Sequence, residues 1–296
     1  MNGPVAGRPH ANPRSRAGTG RLLIAAACLF VAVRAGAEPL PLWEFGLGVG
    51  ALAFSDYRGA DSGQVYPVPV PYFVYRGRLL RADRDGLHGL LAGSERVELK
   101  LNLGATTPVR SSATHARAGM PGLDPTLELG PALEVHLWRS EARRARLDLR
   151  VPVTVAVTLA ESPRFVGWQV MPRLNLDLAD VGGHQGWDLG VLAGPLYADR
   201  DYHDYFYGVA PRYAVAGRPP YQARGGYGGA QLVLSLSKRF PGYWVGAFAR
   251  HDQIGGAVFA DSPLVRSRGY WMAGVGIAWM IHHSERTVET LDAWSR

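Results

Sequence analysis

A few groups of residues have types and spacings that could do chemistry. His282-His283-Ser284, with Glu289 following, sets a hydroxyl beside imidazoles and a carboxylate, the parts of an activated nucleophile. The group lies after the last regular segment, however, where nothing rigid would hold base and acid against Ser284. Adjacent histidines on a strand point to opposite faces, and no third ligand stands at a useful spacing, so no metal site is expected. Asp83-Arg84-Asp85-Gly86 opens like a calcium loop, but Leu87, Gly89 and Leu90 bring no side-chain oxygen. Asp and Gly together are what a tight turn requires. There is no phosphate-binding glycine loop and no nucleic-acid motif, and nothing calls for a cofactor.

Charge offers the stronger pattern. Ionisable residues recur at alternate positions: Glu98 and Lys100; Glu128, Glu134 and His136; Asp148 and Arg150; Arg173 and Asp177. If residues 126–138 and 146–159 form a hairpin turning near Ala142, Glu134 faces Arg150 and His136 faces Asp148. Opposite charges directly across an antiparallel pair support that pairing. Asp177 on the following strand would then reach Arg150 from its other side. Such a set reads as a plug of charges filling a narrow barrel, in preference to a selectivity filter. A further cluster, Tyr202, Tyr205, Phe206 and Tyr207 with Asp199, Asp201 and Asp204, is either a contact surface or a loop packed onto a rim.

These charges need elements that turn them to one side, and the chain supplies a period of two. Leu147, Leu149, Val151, Val153, Val155, Val157 and Leu159 alternate with Arg146, Asp148, Arg150, Pro152, Thr154, Ala156 and Thr158. The same alternation runs through 97–106, 127–137 and 170–178, and more weakly through 43–54, 65–75, 187–197, 230–239, 243–252 and 270–281. Alternation of this kind is strand with two unlike faces. The segments are long enough to cross hydrocarbon, which takes roughly 9–11 residues. Aromatics gather near their ends (Trp43, Tyr72, Tyr75, Trp138, Trp168, Trp187, Tyr197, Tyr243, Trp244, Trp271, Trp279) as in the girdles of membrane barrels. The expected fold is therefore all-β, a transmembrane antiparallel β-barrel in preference to a soluble sandwich. About nine strands are clear, 79–91 is less regular, and 202–213 and 254–259 are ambiguous. Single-chain bacterial barrels have even strand numbers, so 12 are expected, with 10 as the alternative. Residues 110–125 and 199–224 are loops.

The start of the chain argues for export. Residues 1–21 carry Arg8, Arg14, Arg16 and Arg21 with no acid, then Leu22–Val33 is apolar, then Ala35-Gly36-Ala37 precedes Glu38. That order is a secretory signal peptide cleaved after Ala37. The apolar run is too short for a spanning helix, which needs about 20 residues. Cys28, the single cysteine, lies inside it, so a lipoprotein signal is a poorer reading and no disulfide is expected beyond it. The chain has 32 Lys+Arg against 25 Asp+Glu, a charge of +7. Residues 1–37 hold five Arg and no acid, which leaves +2 for the rest, so the basic balance says nothing about nucleic acid. The expected organisation is 1–37 signal peptide, 38–281 barrel and 282–296 a polar tail.

Several ordered stretches resemble the MipA/OmpV family of MltA-interacting outer-membrane proteins. They include Asp56-Tyr57-Arg58-Gly59, Pro69-Val70-Pro71-Tyr72 with Tyr75-Arg76-Gly77, Asp83-Arg84-Asp85-Gly86, and Gly119-Met120-Pro121. Leu123–Pro131 and Asp204-Tyr205-Phe206-Tyr207-Gly208-Val209 continue the series over most of 43–281. The resemblance implies an outer-membrane barrel without enzymatic activity that touches outer-membrane lipid. It also implies partners among periplasmic murein enzymes, a lytic transglycosylase and a murein synthase, held together by the barrel as scaffold. Other members are porin-like or adhesins, and a lipid A deacylase-like hydrolase acting through Ser284 is the remote alternative. Members end on an aromatic residue of the last strand, whereas here 15 residues follow Ile281.

Overall fold

The computed structural model describes residues 38–77, 80–83, 86–106, 108–109, 111, 115–142 and 144–290. The expected signal peptide, 1–37, lies outside them. So do Arg84 and Asp85 of the Asp-Arg-Asp-Gly motif, whose Asp83 and Gly86 are described only as backbone.

The strands are β1 (Glu38–Pro41), β2 (Trp43–Ser55), β3 (Gly63–Arg76), β4 (Leu80–Asp83), β5 (Gly86–Gly93), β6 (Val97–Ala105), β7 (Thr126–Arg139) and β8 (Ala145–Thr158). Then come β9 (Phe165–Val170), β10 (Arg173–Leu178), β11 (Trp187–Ala198), β12 (Gly226–Arg239), β13 (Tyr243–Gln253), β14 (Gly269–His283) and β15 (Thr287–Thr290). One short helix, α1 (Arg200–Tyr207), interrupts the series.

Each wall strand pairs antiparallel with its sequence neighbours, and β14 pairs back onto β2 from Met272↔Phe54 to His283↔Glu44, which closes the barrel. β9 and β10 are two halves of one wall strand, since both pair with β8 on one side and β11 on the other. Counted so, the 13-stranded sheet has 12 positions round the wall. The break between the halves falls at Met171-Pro172, beside Pro152 of β8, where Val153↔Val170 and Arg150↔Arg173 flank a step at which the Met171 amide donates to the Pro152 carbonyl at 3.2 Å. Prolines from adjacent strands meet there, and neither can donate to the ladder.

The alternation sorts as the physics requires. Leu47, Val49, Leu99, Leu101, Leu129, Leu133, Val153, Val155, Leu234 and Val275 turn outward and are exposed, an apolar surface suited to lipid and not to water. Exposed rings flank this band: Phe165, Trp168, Tyr197 and Trp271 toward one end, Phe45, Phe73, Trp138 and Trp279 toward the other. Tyr72 and Trp244, which the sequence placed with the girdles, instead face inward and pack at a centroid distance of 6.0 Å. Closure needs small inward residues. A Cβ at Gly48 would lie 1.8 Å from the Ile277 carbonyl oxygen, so only glycine lets β2 and β14 approach there.

Two ambiguous stretches resolve and one boundary moves. Residues 202–213 are no strand: α1 occupies their first half, capped by Asp199, whose side chain accepts from the Tyr202 amide at 2.9 Å. Residues 254–259 are turns, not strand. Nor does the last strand stop at Ile281, because β14 runs to His283 and Thr287–Thr290 pairs with Glu38–Pro41 in a separate two-stranded sheet. The end bearing β1 and β15 carries the short turns 94–96, 140–144 and 240–242. The other end carries the long connections 106–125, 199–225 and 254–268, the asymmetry of periplasmic turns and extracellular loops.

Candidate functional site

The inward residues of β6, β7, β8 and β10 form a ladder of charge. The register sets Glu98 opposite Glu134, and Glu134 opposite Arg150. It also sets His136 opposite Asp148 and Arg150 opposite Arg173. Like-charged Glu98 and Glu134 are bridged by Lys100, whose Nζ lies 2.8 and 3.0 Å from their carboxylates. Arg150 Nε lies 3.0 Å from Glu134, and a His136 Nδ1 hydrogen bond of 2.8 Å joins it to Asp148. Asp177 does not stand opposite Arg150. The β8–β10 register brings it to Arg146, whose Nε is 2.8 Å away, while Asn175 Nδ2 donates to the same carboxylate. The turn at 159–164 fixes that register, and Arg146 was visible in the alternating row without being singled out.

Glu98, Glu134 and His136 bring possible ligand atoms within 4.8 Å of one another. The Lys100 ammonium sits on the two carboxylates, where a metal cation would have to sit, so the arrangement is a salt-bridge network and not a metal centre. Glu128 belongs to a different neighbourhood, higher on β7, where the Tyr202 phenol donates to it at 3.0 Å.

Around that contact the long loops build a roof. Tyr57, Ala60, Val109, Leu123, Tyr207, Ala223, Ile254, Ala257 and Phe259 form one buried apolar cluster, drawn from every long connection at that end. Tyr207 stacks on Phe259 at 3.7 Å, and its phenol donates to the Arg58 carbonyl at 2.9 Å. Burial pushes that phenol up to about 12. The Tyr57 phenol donates to Leu264 O at 2.5 Å, and burial raises it as well. Tyr202 packs below, against Ala156, Val166, Leu196 and Ala198 of the wall. Arg58 Nε lies 2.6 Å from Asp252 at the end of β13, tying the β2–β3 loop across the mouth. Asp56 accepts from Ser62 Oγ at 2.5 Å, and Gly59 sits at φ +107°, a conformation that favours glycine. Asp204 accepts from the Ala223 amide at 2.9 Å, and its carbonyl from Gly208 N at 2.8 Å.

The aromatic cluster is therefore internal to the roof. Tyr202 and Tyr207 are buried, and Tyr205 and Phe206 are half-buried against it. Of the family stretches, 56–59 and 204–208 meet in this one structure.

At the opposite end Glu44 is buried between Arg76, 2.8 Å away, and Arg239, which reaches it from β12 across the lumen. Sequence reasoning missed this trio because Glu44 is isolated among glycines and its partners are far along the chain. Between the two closures lies a cavity of about 460 Å³. The residues at 282–284 do not assemble a nucleophile: Ser284 Oγ donates to the Arg286 carbonyl and its amide to Trp43 O, neither of them a base. The side chain of Glu289 lies outside the described residues.

The family described as MltA-interacting protein MipA matches residues 47–281. Outer membrane protein OmpV of Vibrio cholerae serotype O1 is 33% identical over 95 residues, 31% of this chain and 35% of that protein. Outer membrane protein Omp26La of Vibrio anguillarum is 30% identical over 95 residues, again 31% and 35%. The matched stretch thus spans about a third of each relative's length. Among solved structures, a bacterial polysaccharide outer membrane secretin has a TM-score of 0.39 at 10% identity, covering 81% of this chain and 99% of its own.

Proposed function

The chain belongs to the MltA-interacting protein MipA family and is an outer-membrane β-barrel, and we propose that it serves as a non-enzymatic scaffold for murein enzymes on its periplasmic side. The observation that carries this reading is the closed lumen. The roof of Tyr57, Tyr207 and Phe259 and the Glu44–Arg76–Arg239 trio take up the space through which a general diffusion channel would conduct. A barrel closed in this way to through-flow offers its ends as docking surfaces. The end with the termini presents short turns and the β1–β15 sheet, which stand where a murein-bound partner would reach them. By the family's name, a lytic transglycosylase of the MltA kind is the first partner to test, and a murein synthase the second.

The experiment is retention of purified transglycosylase and synthase by the immobilised, detergent-folded barrel. Retention that is lost when residues 284–296 are removed supports the scaffold. Retention of neither enzyme by a barrel with native heat-modifiable mobility overturns it.

A further inference from the structure

β3 is paired with β2 along its length, from Gly63 to Tyr75, but with β4 only through Tyr75 and Arg76. β4 pairs with β5 from Leu80↔Gly89 to Asp83↔Gly86, and neither β5 nor β6 pairs with β3 among the described residues. From Gly63 to Val74, then, the far edge of β3 has no strand paired to it among the described residues. Its composition suits that edge, because Pro67, Pro69 and Pro71 have no N–H to offer. They stand opposite Ala51, Val49 and Leu47 of β2. A proline cannot complete a two-bond antiparallel pair, so the bonded pairs with β2 fall on Val68, Val70 and Tyr72, and the prolines turn toward the open edge. Exposure points the same way. Gln64 and Tyr66 share the inward face with Val68 and Val70 yet are exposed, whereas inward Thr126, Thr158 and Tyr270 toward the same end are buried.

The wall thus has a slot beside β3, level with the lipid-facing band, and the cavity lies behind it. Leu52, Val68, Val70 and Phe248 line the cavity on the side of the slot, and Arg150, Arg173, Asn175 and Asp177 line the far wall, where the arginines outnumber the one carboxylate. An apolar wall and a polar wall rich in hydrogen-bond donors within one space match a molecule with two unlike ends. The roof of loops obstructs entry from the external water, while the slot opens onto the bilayer.

We propose that the slot is a lateral portal and the cavity a binding site for a single-chain amphiphile drawn from the membrane. Its chain lies against Leu52, Val68, Val70 and Phe248, and its hydrogen-bond-accepting head turns toward Arg150 and Arg173.

The test is photolabelling of the folded barrel in phosphatidylcholine vesicles carrying a fatty acid with a diazirine in its chain. Alternation makes the result readable, since inward and outward residues interleave on one strand. The proposal expects label on inward Val68, Val70 and Phe248 as well as on outward Leu47 and Val49. Val70→Trp, which fills the cavity from β3, cuts inward labelling at least tenfold and leaves outward labelling unchanged. Val68→Phe serves the same purpose if that variant lacks the heat-modifiable mobility of a folded barrel. Label confined to outward residues in the wild type overturns the site. Equal inward labelling by a diazirine butyrate, added to the water and too short to stay in the bilayer, overturns the lateral route.

Discussion

Replacing Glu134 with Gln tests whether the charge ladder stabilises the barrel. Glu134 is 4% exposed and lies within 3.0 Å of both Lys100 and Arg150. Gln keeps the shape and one acceptor oxygen but removes the charge. Lys100 keeps Glu98 at 2.8 Å, whereas Arg150 loses the carboxylate opposite it. Removing one partner of a buried pair costs about 3–5 kcal/mol. Because Lys100 keeps Glu98, the low end of that range, about 3 kcal/mol, is expected, roughly a hundredfold in the folding equilibrium. Urea titration of the barrel refolded into vesicles, followed by tryptophan fluorescence, measures it. The double variant Glu134→Gln/Arg150→Gln should recover 1 kcal/mol or more, because the guanidinium that faced the Glu134 carboxylate is gone. A single-variant loss below about 1 kcal/mol, the size of an exposed pair, or no recovery in the double, would refute the argument.

Arg144 and Asp180 pair at 3.5 Å in the turn region with Arg144 65% exposed, so Arg144→Ala should change the same titration by no more than about 0.5 kcal/mol. Phe259→Ala removes the ring under Tyr207 and should cost about 3–5 kcal/mol locally, read as faster proteolysis within 199–225 while the wall resists. Burial holds His203 below its ordinary value, with its Nδ1 donating to the Arg224 carbonyl at 2.8 Å. A lowered folded value means the unfolded chain takes the proton first. Roof stability is therefore complete above about pH 6.5 and falls as pH drops below it, by at most about 1.4 kcal/mol per pH unit. Proteolysis of the roof across pH 5–8 should show that slope in the wild type and lose it in His203→Gln. Deleting residues 200–224 should raise single-channel conductance in planar bilayers from near zero to a stable open level. No change would mean that the roof does not control the bore.

How much of this could be read from the residues depends on range. β8 could be read because its period of two is set locally, by which side chains meet lipid and which do not. The Glu134–Arg150 and His136–Asp148 oppositions followed from one hairpin, where a turn position fixes the register. Asp177 was placed four residues off, two inward positions along β8, because its register depends on the longer turn at 159–164. α1 was missed for a different reason. Its apolar residues, Tyr202, Phe206 and Tyr207, fit a short strand as well as a helix, and only the Asp199 cap distinguishes them. The roof joins residues up to 207 apart and the Glu44–Arg76–Arg239 trio residues up to 195 apart, and no local pattern announces such contacts. Pro67, Pro69 and Pro71 were in plain view, but their meaning came from knowing that β4 is only 4 residues long.

The central claim is that aliphatic rows face lipid around a closed sheet while charged rows face inward. The most direct measurement is a nitroxide scan of residues 146–158 of β8 in bilayers, comparing collision with oxygen against a water-soluble nickel chelate. The account predicts oxygen access peaking at 147, 149, 151, 153, 155 and 157, with minima at every even position between. Uniform access along the strand, or aliphatic positions shielded from both reagents, would contradict it.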